Sequence, residues 1–193
     1  MEARQMNGIR EYLARSSKAV AGLDPDEVAR AAEVVLECIA SGGTVFLCGN
    51  GGSAADSLHL AAEFTGRFLL ERPGMRAVAL TDNCAALTAI ANDYGYVRVF
   101  SRQIEALGRP GDLLWAISTS GTSPSILAAA DAAHAAGMKV LAFTGNGSGG
   151  LAAAADASVT APAGPSCHVQ EALLAAGHAI CMHVEKAFPE NKA

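Results

Sequence analysis

His59 and Glu63 stand four residues apart, and Gln170 and His178 stand eight apart. On a helix, either spacing places both side chains on one face. Imidazole and carboxylate together can move protons near neutral pH or hold a divalent cation. The same spacing also suits a surface His–Glu contact, or satisfied polar residues among alanines. Spacing alone does not say whether the two helices meet.

A second chemistry lies in Ser118-Thr119-Ser120-Gly121-Thr122-Ser123, ahead of Pro124. Hydroxyls and backbone N–H groups can hold phosphate oxygens without a basic side chain. Ser123 is also a natural N-cap, which accounts for one hydroxyl but not for Ser118, Thr119 and Ser120. Gly49-Asn50-Gly51-Gly52-Ser53 forms a further turn in which glycine lets the backbone approach a ligand closely. Taken alone it is also ordinary turn chemistry. It matches neither the dinucleotide fingerprint nor a Walker loop.

Elements to position these residues follow from the hydropathy pattern. Two helical stretches come first, one over Glu2 to Ala21 carrying Met6, Ile9, Leu13 and Val20. The second follows Asp24 as N-cap, with Pro25 in the first turn, and runs to about Ala40. Compact apolar runs at Thr44–Cys48, Arg76–Leu80, Asp112–Ser118 and Lys139–Thr144 predict buried strands, with a weaker fifth at Ala157–Ala161. Helical segments alternate with them at Ser53–Thr65, Cys84–Ile90, Ser123–Ala136 and near Leu151, before a final helix from Ser166 to Phe188, ahead of Pro189. This alternation indicates a single α/β unit around a mainly parallel sheet.

Composition narrows the function further. The chain has 193 residues, 51% hydrophobic and 17% charged, enough for a substantial core. A net charge of −5, without any Lys/Arg run, argues against nucleic-acid binding. No apolar stretch approaches the roughly 20 residues of a membrane span, and the N-terminus lacks a signal-peptide core. A cytoplasmic protein is the expectation. The five cysteines (Cys38, Cys48, Cys84, Cys167, Cys181) form no CxxC pair, and most lie in apolar segments, as buried thiols would.

Three segments, CGNGGSAADSLHLAAEFTGRF, TAIANDYGY and ISTSGTSPSIL, resemble the sugar isomerase (SIS) family, and within it the bacterial phosphoheptose isomerases. The resemblance runs over nearly the whole chain. It implies an SIS-type three-layer sandwich with a five-stranded parallel, flavodoxin-like sheet (residues 42–193), and N-terminal helices (residues 1–41) used in oligomerisation. It implies one zinc ion per subunit on His59, Glu63, Gln170 and His178, with Glu63 as base and His178 as partner acid. Asn50, Gly51, Gly52, Asp56, Glu63, Asn92, Asp93 and Gln170 would approach the sugar, and Ser118, Thr119, Ser120 and Ser123 its phosphate. Asp56 reads equally well as a solvated acid at a helix start. Asn92 and Asp93, in a loop Ala91–Gly95, read locally as turn chemistry.

The implied reaction converts sedoheptulose 7-phosphate to D-glycero-D-manno-heptose 7-phosphate, in a homotetramer. This would be the first step toward nucleotide-activated heptose. Two positions depart from the family pattern. His168 stands where arginine is common, and Leu173 where a histidine is often found; His134 and His183 read as solvated. Competing readings are a non-catalytic SIS protein, either a sugar-phosphate sensor or a replication-initiation adaptor, and an isomerase of another phosphosugar. The adaptor's relatives lack equivalents of Glu63 and His178.

Overall fold

The computed structural model describes residues 2–146 and 149–188, with side chains from residue 7 onward. The Met6 side chain and Pro189 therefore lie outside the described residues. Helices α1 (Glu2–Ala21) and α2 (Pro25–Ala40) lead into β1 (Val45–Gly49), α3 (Gly52–Thr65), β2 (Ala77–Ala79) and α4 (Cys84–Tyr94). Then follow a single 3-10 turn (Tyr96–Arg98), α5 (Ser101–Leu107), β3 (Leu113–Ser118), α6 (Pro124–Ala135) and β4 (Lys139–Gly145). The chain continues through α7 (Gly150–Ala153), β5 (Ala157–Ala161) and α8 (Ser166–Glu185).

The strands form one sheet in the order β2-β1-β3-β4-β5, and every neighbouring pair is parallel. Alternate residues of each strand face opposite sides, so a sheet covered on both faces needs apolar residues at every position. β1 and β3 are buried at every position, and the one polar side chain in them is Ser118 at the end of β3. Leu47, Trp115 and Phe143 pack on one face against Val35 of α2, Phe64 of α3 and Ile180 of α8. Phe46, Leu114 and Val140 pack on the other against Ile104 of α5 and Ile126 of α6. These are the three expected layers.

Because β2 lies to one side of β1 and β3 to the other, the order in which the chain lays strands across the sheet reverses between β1 and β3. In open parallel sheets this crevice, at the carboxyl ends of the strands, is where ligands bind. The glycine turn after β1 and the serine loop after β3 both open onto it.

Local chemistry explains most element boundaries. Asp24 caps α2 by accepting from the Asp26 N–H at 2.9 Å, with Pro25 in the first turn. α4 extends to Tyr94 instead of stopping at Ile90. Asn92 and Asp93 are thus helical, not in a loop, because the first backbone breaker is Gly95, at φ +82°. α8 ends at Glu185, short of the expected Phe188. Cys38, Cys48 and Cys181 are buried, whereas Cys84 and Cys167, near helix starts, are exposed. Among the described residues, no helix is long and apolar enough to cross a membrane.

Candidate active site

The site is built at the end of β1. A Cβ on Gly49 would stand 2.4 Å from the Ser53 carbonyl oxygen, so only glycine lets α3 start directly on the strand end. Gly51, at φ +57°, turns the chain into the helix. A Cβ on Gly52 would meet Gln170 Oε1 at 2.4 Å, so the Gln170 amide of α8 lies directly on this turn. Its Nε2 donates to Asp56 Oδ1 at 3.1 Å. Asp56 is buried, not a solvated helix-start acid. Burial raises its pKa, partly offset by the Gln170 amide and by His59.

One turn beyond Asp56, His59 and Glu63 share a face, with Nε2 and Oε1 3.5 Å apart. His178 of α8 joins them, its Nε2 2.8 Å from the Nε2 of His59. The two rings meet edge to face with centroids 5.0 Å apart. Phe68 stacks on the other side of His178 at 5.4 Å and 22°. Burial lowers the His178 pKa, and His59 lowers it further, while Glu63 acts in the opposite direction. Only one of two facing nitrogens at this distance can carry a proton between them.

Gly177 explains why α3 and α8 come so close. A Cβ there would stand 2.8 Å from Leu60 Cδ2, so the absent side chain sets the helix separation next to both histidines.

The serine loop is fixed from several sides. Ser118 ends β3 and is buried, and its carbonyl accepts from the Gly121 N–H. Thr119 O accepts from the Gly145 N–H at 3.1 Å, and Gly121 O from the Leu151 N–H at 3.1 Å. Ser120 is exposed, and its hydroxyl accepts from the Thr122 N–H at 3.3 Å. Ser123 occupies the N-cap position of α6, yet its side chain makes no capping bond. Its hydroxyl accepts instead from Asn50 Nδ2 at 2.9 Å. Asn50 also donates to Ser125 Oγ at 3.0 Å and accepts from Tyr96 Oη at 2.7 Å. It thereby ties the glycine turn, the serine loop and the segment after α4 into one frame.

Asn92 and Asp93 stand apart from that frame. They lie exposed in the last turn of α4, where Asn92 Nδ2 donates to Asp93 Oδ1 at 2.8 Å. Tyr96, Ser125 and Phe68 are site residues that the sequence reading missed. Ser125 carries a signal, since it adds a hydroxyl two residues after Ser123. Tyr96 adjoins the Asn92–Gly95 segment, while Phe68 lies in a loop that offers no periodicity.

The departures at 168 and 173 are structural. His168 is buried against Tyr12, with ring centroids 4.5 Å apart, and its Nδ1 lies 3.1 Å from Ser16 Oγ and 3.2 Å from Glu171 Oε2. It docks α1 on α8. Leu173 is part of the core. His134 and His183 are partly exposed and face Asp156 and Glu33.

Among the described residues, no group of three His, Cys, Asp or Glu side chains is already arranged as a metal cage. The donor chemistry of the cluster nevertheless fits zinc. Two imidazole nitrogens face each other at 2.8 Å with a carboxylate oxygen 3.5 Å from one of them. Two nitrogens on one tetrahedral zinc stand about 3.3 Å apart, so a small opening would accommodate the ion. Gln170, held to Asp56, would contribute its amide oxygen.

Residues 10–145 match the SIS domain family. The chain is 52% identical over 159 residues to a phosphoheptose isomerase of Desulfovibrio desulfuricans, covering 82% of this chain and 76% of that protein. It is 45% identical over 190 residues to the phosphoheptose isomerase of Burkholderia pseudomallei, covering 96% of each. The solved structure of the Neisseria gonorrhoeae phosphoheptose isomerase superposes with a TM-score of 0.88 at 39% identity, covering 94% of this chain and 99% of that one. With its reversal crevice, serine loop and His59–Glu63–His178 cluster, the chain belongs to the SIS-domain family and, within it, to the phosphoheptose isomerases.

Proposed function

We propose that this protein is an aldose–ketose isomerase converting sedoheptulose 7-phosphate to D-glycero-D-manno-heptose 7-phosphate, a step toward nucleotide-activated heptose. The observation that carries this reading is the convergence of Glu63 with His59 and His178 across two helices, beside the turn that Gln170 covers. A module that only binds sugar phosphate needs the serine loop but has no use for that cluster of three.

Ser118, Thr119, Ser120 and Ser123 hold the phosphate, helped by loop N–H groups. Glu63 removes a proton from C1. The C1–H electrons form the C1–C2 double bond, and O2 takes a proton from His178 to give an enediol. The O1 proton then passes to His178, C1 becomes the aldehyde, and Glu63 returns a proton to C2. Both side chains end as they began. Zinc would be held by His59, Glu63, Gln170 and His178, one ion per subunit, and would supply Lewis-acid polarisation of the sugar oxygens. Glu63 and His178 would then move protons through the atoms left off the metal, the second carboxylate oxygen and Nδ1. Asn50 keeps the glycine turn and serine loop in register, so the phosphate and the reacting carbons are held on one frame.

The functional unit is a homotetramer. Ile9, Leu13 and Val20 leave an exposed apolar stripe on α1, and such a stripe supports helix-to-helix association.

Proton NMR of the protein with sedoheptulose 7-phosphate in deuterated water tests the reaction. The expected result is the heptose aldose carrying deuterium at C2. No aldose from folded, zinc-supplied protein would overturn the substrate assignment.

A further inference from the structure

The loop between α3 and β2 is held by a charged pair that the reaction itself does not use. Arg72 is 4% exposed and Glu185 1% exposed, deeper than surface ion pairs lie. The Arg72 Nη1 donates to the carbonyls of Phe64 at 2.8 Å, Gly66 at 3.1 Å and Pro73 at 3.0 Å. Its Nη2 donates to the carbonyl of Glu63 at 2.8 Å. The guanidinium thus closes the carboxyl end of α3 on the backbone of the base. Cations are favoured there, and the last carbonyls of a helix otherwise lack partners.

Glu185, the last residue of α8, serves the same loop from the other helix. Its carboxylate accepts from the N–H groups of Phe68 at 3.3 Å, Leu69 at 2.9 Å and Leu70 at 3.2 Å. Phe68 is the ring stacked on His178. The two charges lie 3.9 Å apart, and Arg72 Nε has no hydrogen-bond partner among the described residues. A buried charge that stays partly unsatisfied is costly.

We propose that Arg72 and Glu185 form a buried clamp that positions Glu63, through its carbonyl, and His178, through Phe68, relative to one another. Both are positioning residues, and the inference rests on the isomerase reading of the site. Lysine at 72 keeps the cation but cannot reach four carbonyls in a planar fork. Glutamine at 185 replaces one of the two acceptor oxygens by an NH2 donor facing backbone N–H groups.

The test compares Arg72→Lys and Glu185→Gln with wild type in steady-state isomerisation and by histidine Cε1–Hε1 NMR of the zinc-supplied protein. Misplaced catalytic groups should lower kcat about ten- to hundred-fold. KM should stay within about twofold, since the serine loop is untouched. The His178 signal should shift as Phe68 moves, while that of the remote His134 stays. Folded variants with wild-type kcat and an unmoved His178 signal would overturn the clamp, as would a loss confined to KM. If wild type turns over no sedoheptulose 7-phosphate, the functional reading fails, and the His178 signal still decides the clamp. Should neither variant fold, Phe68→Leu, which leaves the buried pair intact, must lower kcat at constant KM; unchanged kcat overturns the proposal.

Discussion

Gly177 of α8 lies against Leu60 of α3 so closely that a Cβ at 177 would stand 2.8 Å from Leu60 Cδ2 and 3.0 Å from Cδ1. Leu60 is fully buried and has little room to yield. Gly177→Ala should therefore push α8 away from α3 by a few tenths of an ångström. Overpacking costs about 1–3 kcal/mol, while alanine recovers about 1 kcal/mol of helix propensity, so the net loss is about 0–2 kcal/mol. His59 and His178 flank this contact, so kcat should fall more than stability does. Thermal melts and steady-state kinetics on one preparation check this; wild-type kcat would mean that Leu60 absorbs the methyl group.

This contact also marks the limit of what the sequence reveals. The strands are legible because each is an apolar run bounded by glycine or polar residues. The shared faces of α3 and of α8 follow from spacing. That His59 meets His178, 119 residues away, depends on a missing Cβ, and only the family resemblance anticipates it. The stretch from Tyr96 to Leu107 is illegible for a different reason. Its 3-10 turn spans three residues and its helix seven, too short for a periodic pattern. Asn92 and Asp93 look like turn chemistry, but a helix with enough neighbours overrides such local preferences.

Asp156 offers a test of pH dependence away from the site. Its Oδ2 accepts from the Val140 N–H at 2.7 Å and lies 3.2 Å from His134 Nε2, holding the start of β5 to β4 and α6. Burial raises its pKa, but the Val140 N–H and His134 outweigh that effect, and the carboxyl sits below its ordinary 3.8. A depressed carboxyl pKa contributes stability above the unfolded value, and this is lost as pH falls through the folded value. Wild type should lose that increment as pH falls below about 4, whereas Asp156→Asn should lack it at neutral pH and show a flatter acid limb. Denaturant midpoints at pH 7 and at pH 3 measure both; parallel curves for the two proteins would exclude the contribution.

The apolar stripe on α1 makes the assembly testable. Leu13 is 61% exposed and Ile9 55%, so a charge there disturbs little within one chain. Leu13→Glu should leave the monomer folded while placing a carboxylate in a helix-to-helix contact, at a cost of several kcal/mol if buried. Light scattering after gel filtration should give a tetramer for wild type and a smaller species for the variant. An unchanged tetramer would move the interface off this face.

Glu63→Gln separates proton transfer from site architecture. Glutamine keeps the shape of the side chain beside His59 but cannot take the C1 proton. The Arg72 bond is to the Glu63 carbonyl, so the clamp survives the substitution. Loss of a positioned base costs about 10²–10⁴-fold in rate. Turnover should fall at least that far, deuterium exchange at C1 should stop, and phosphate binding followed by ³¹P NMR should persist. Elemental analysis distinguishes the two roles of the carboxylate. Lost turnover with zinc retained assigns Glu63 as the base, whereas zinc lost together with turnover would assign it first to the metal. Turnover equal to wild type would remove Glu63 from the chemistry and leave His178 as the residue to examine for proton abstraction.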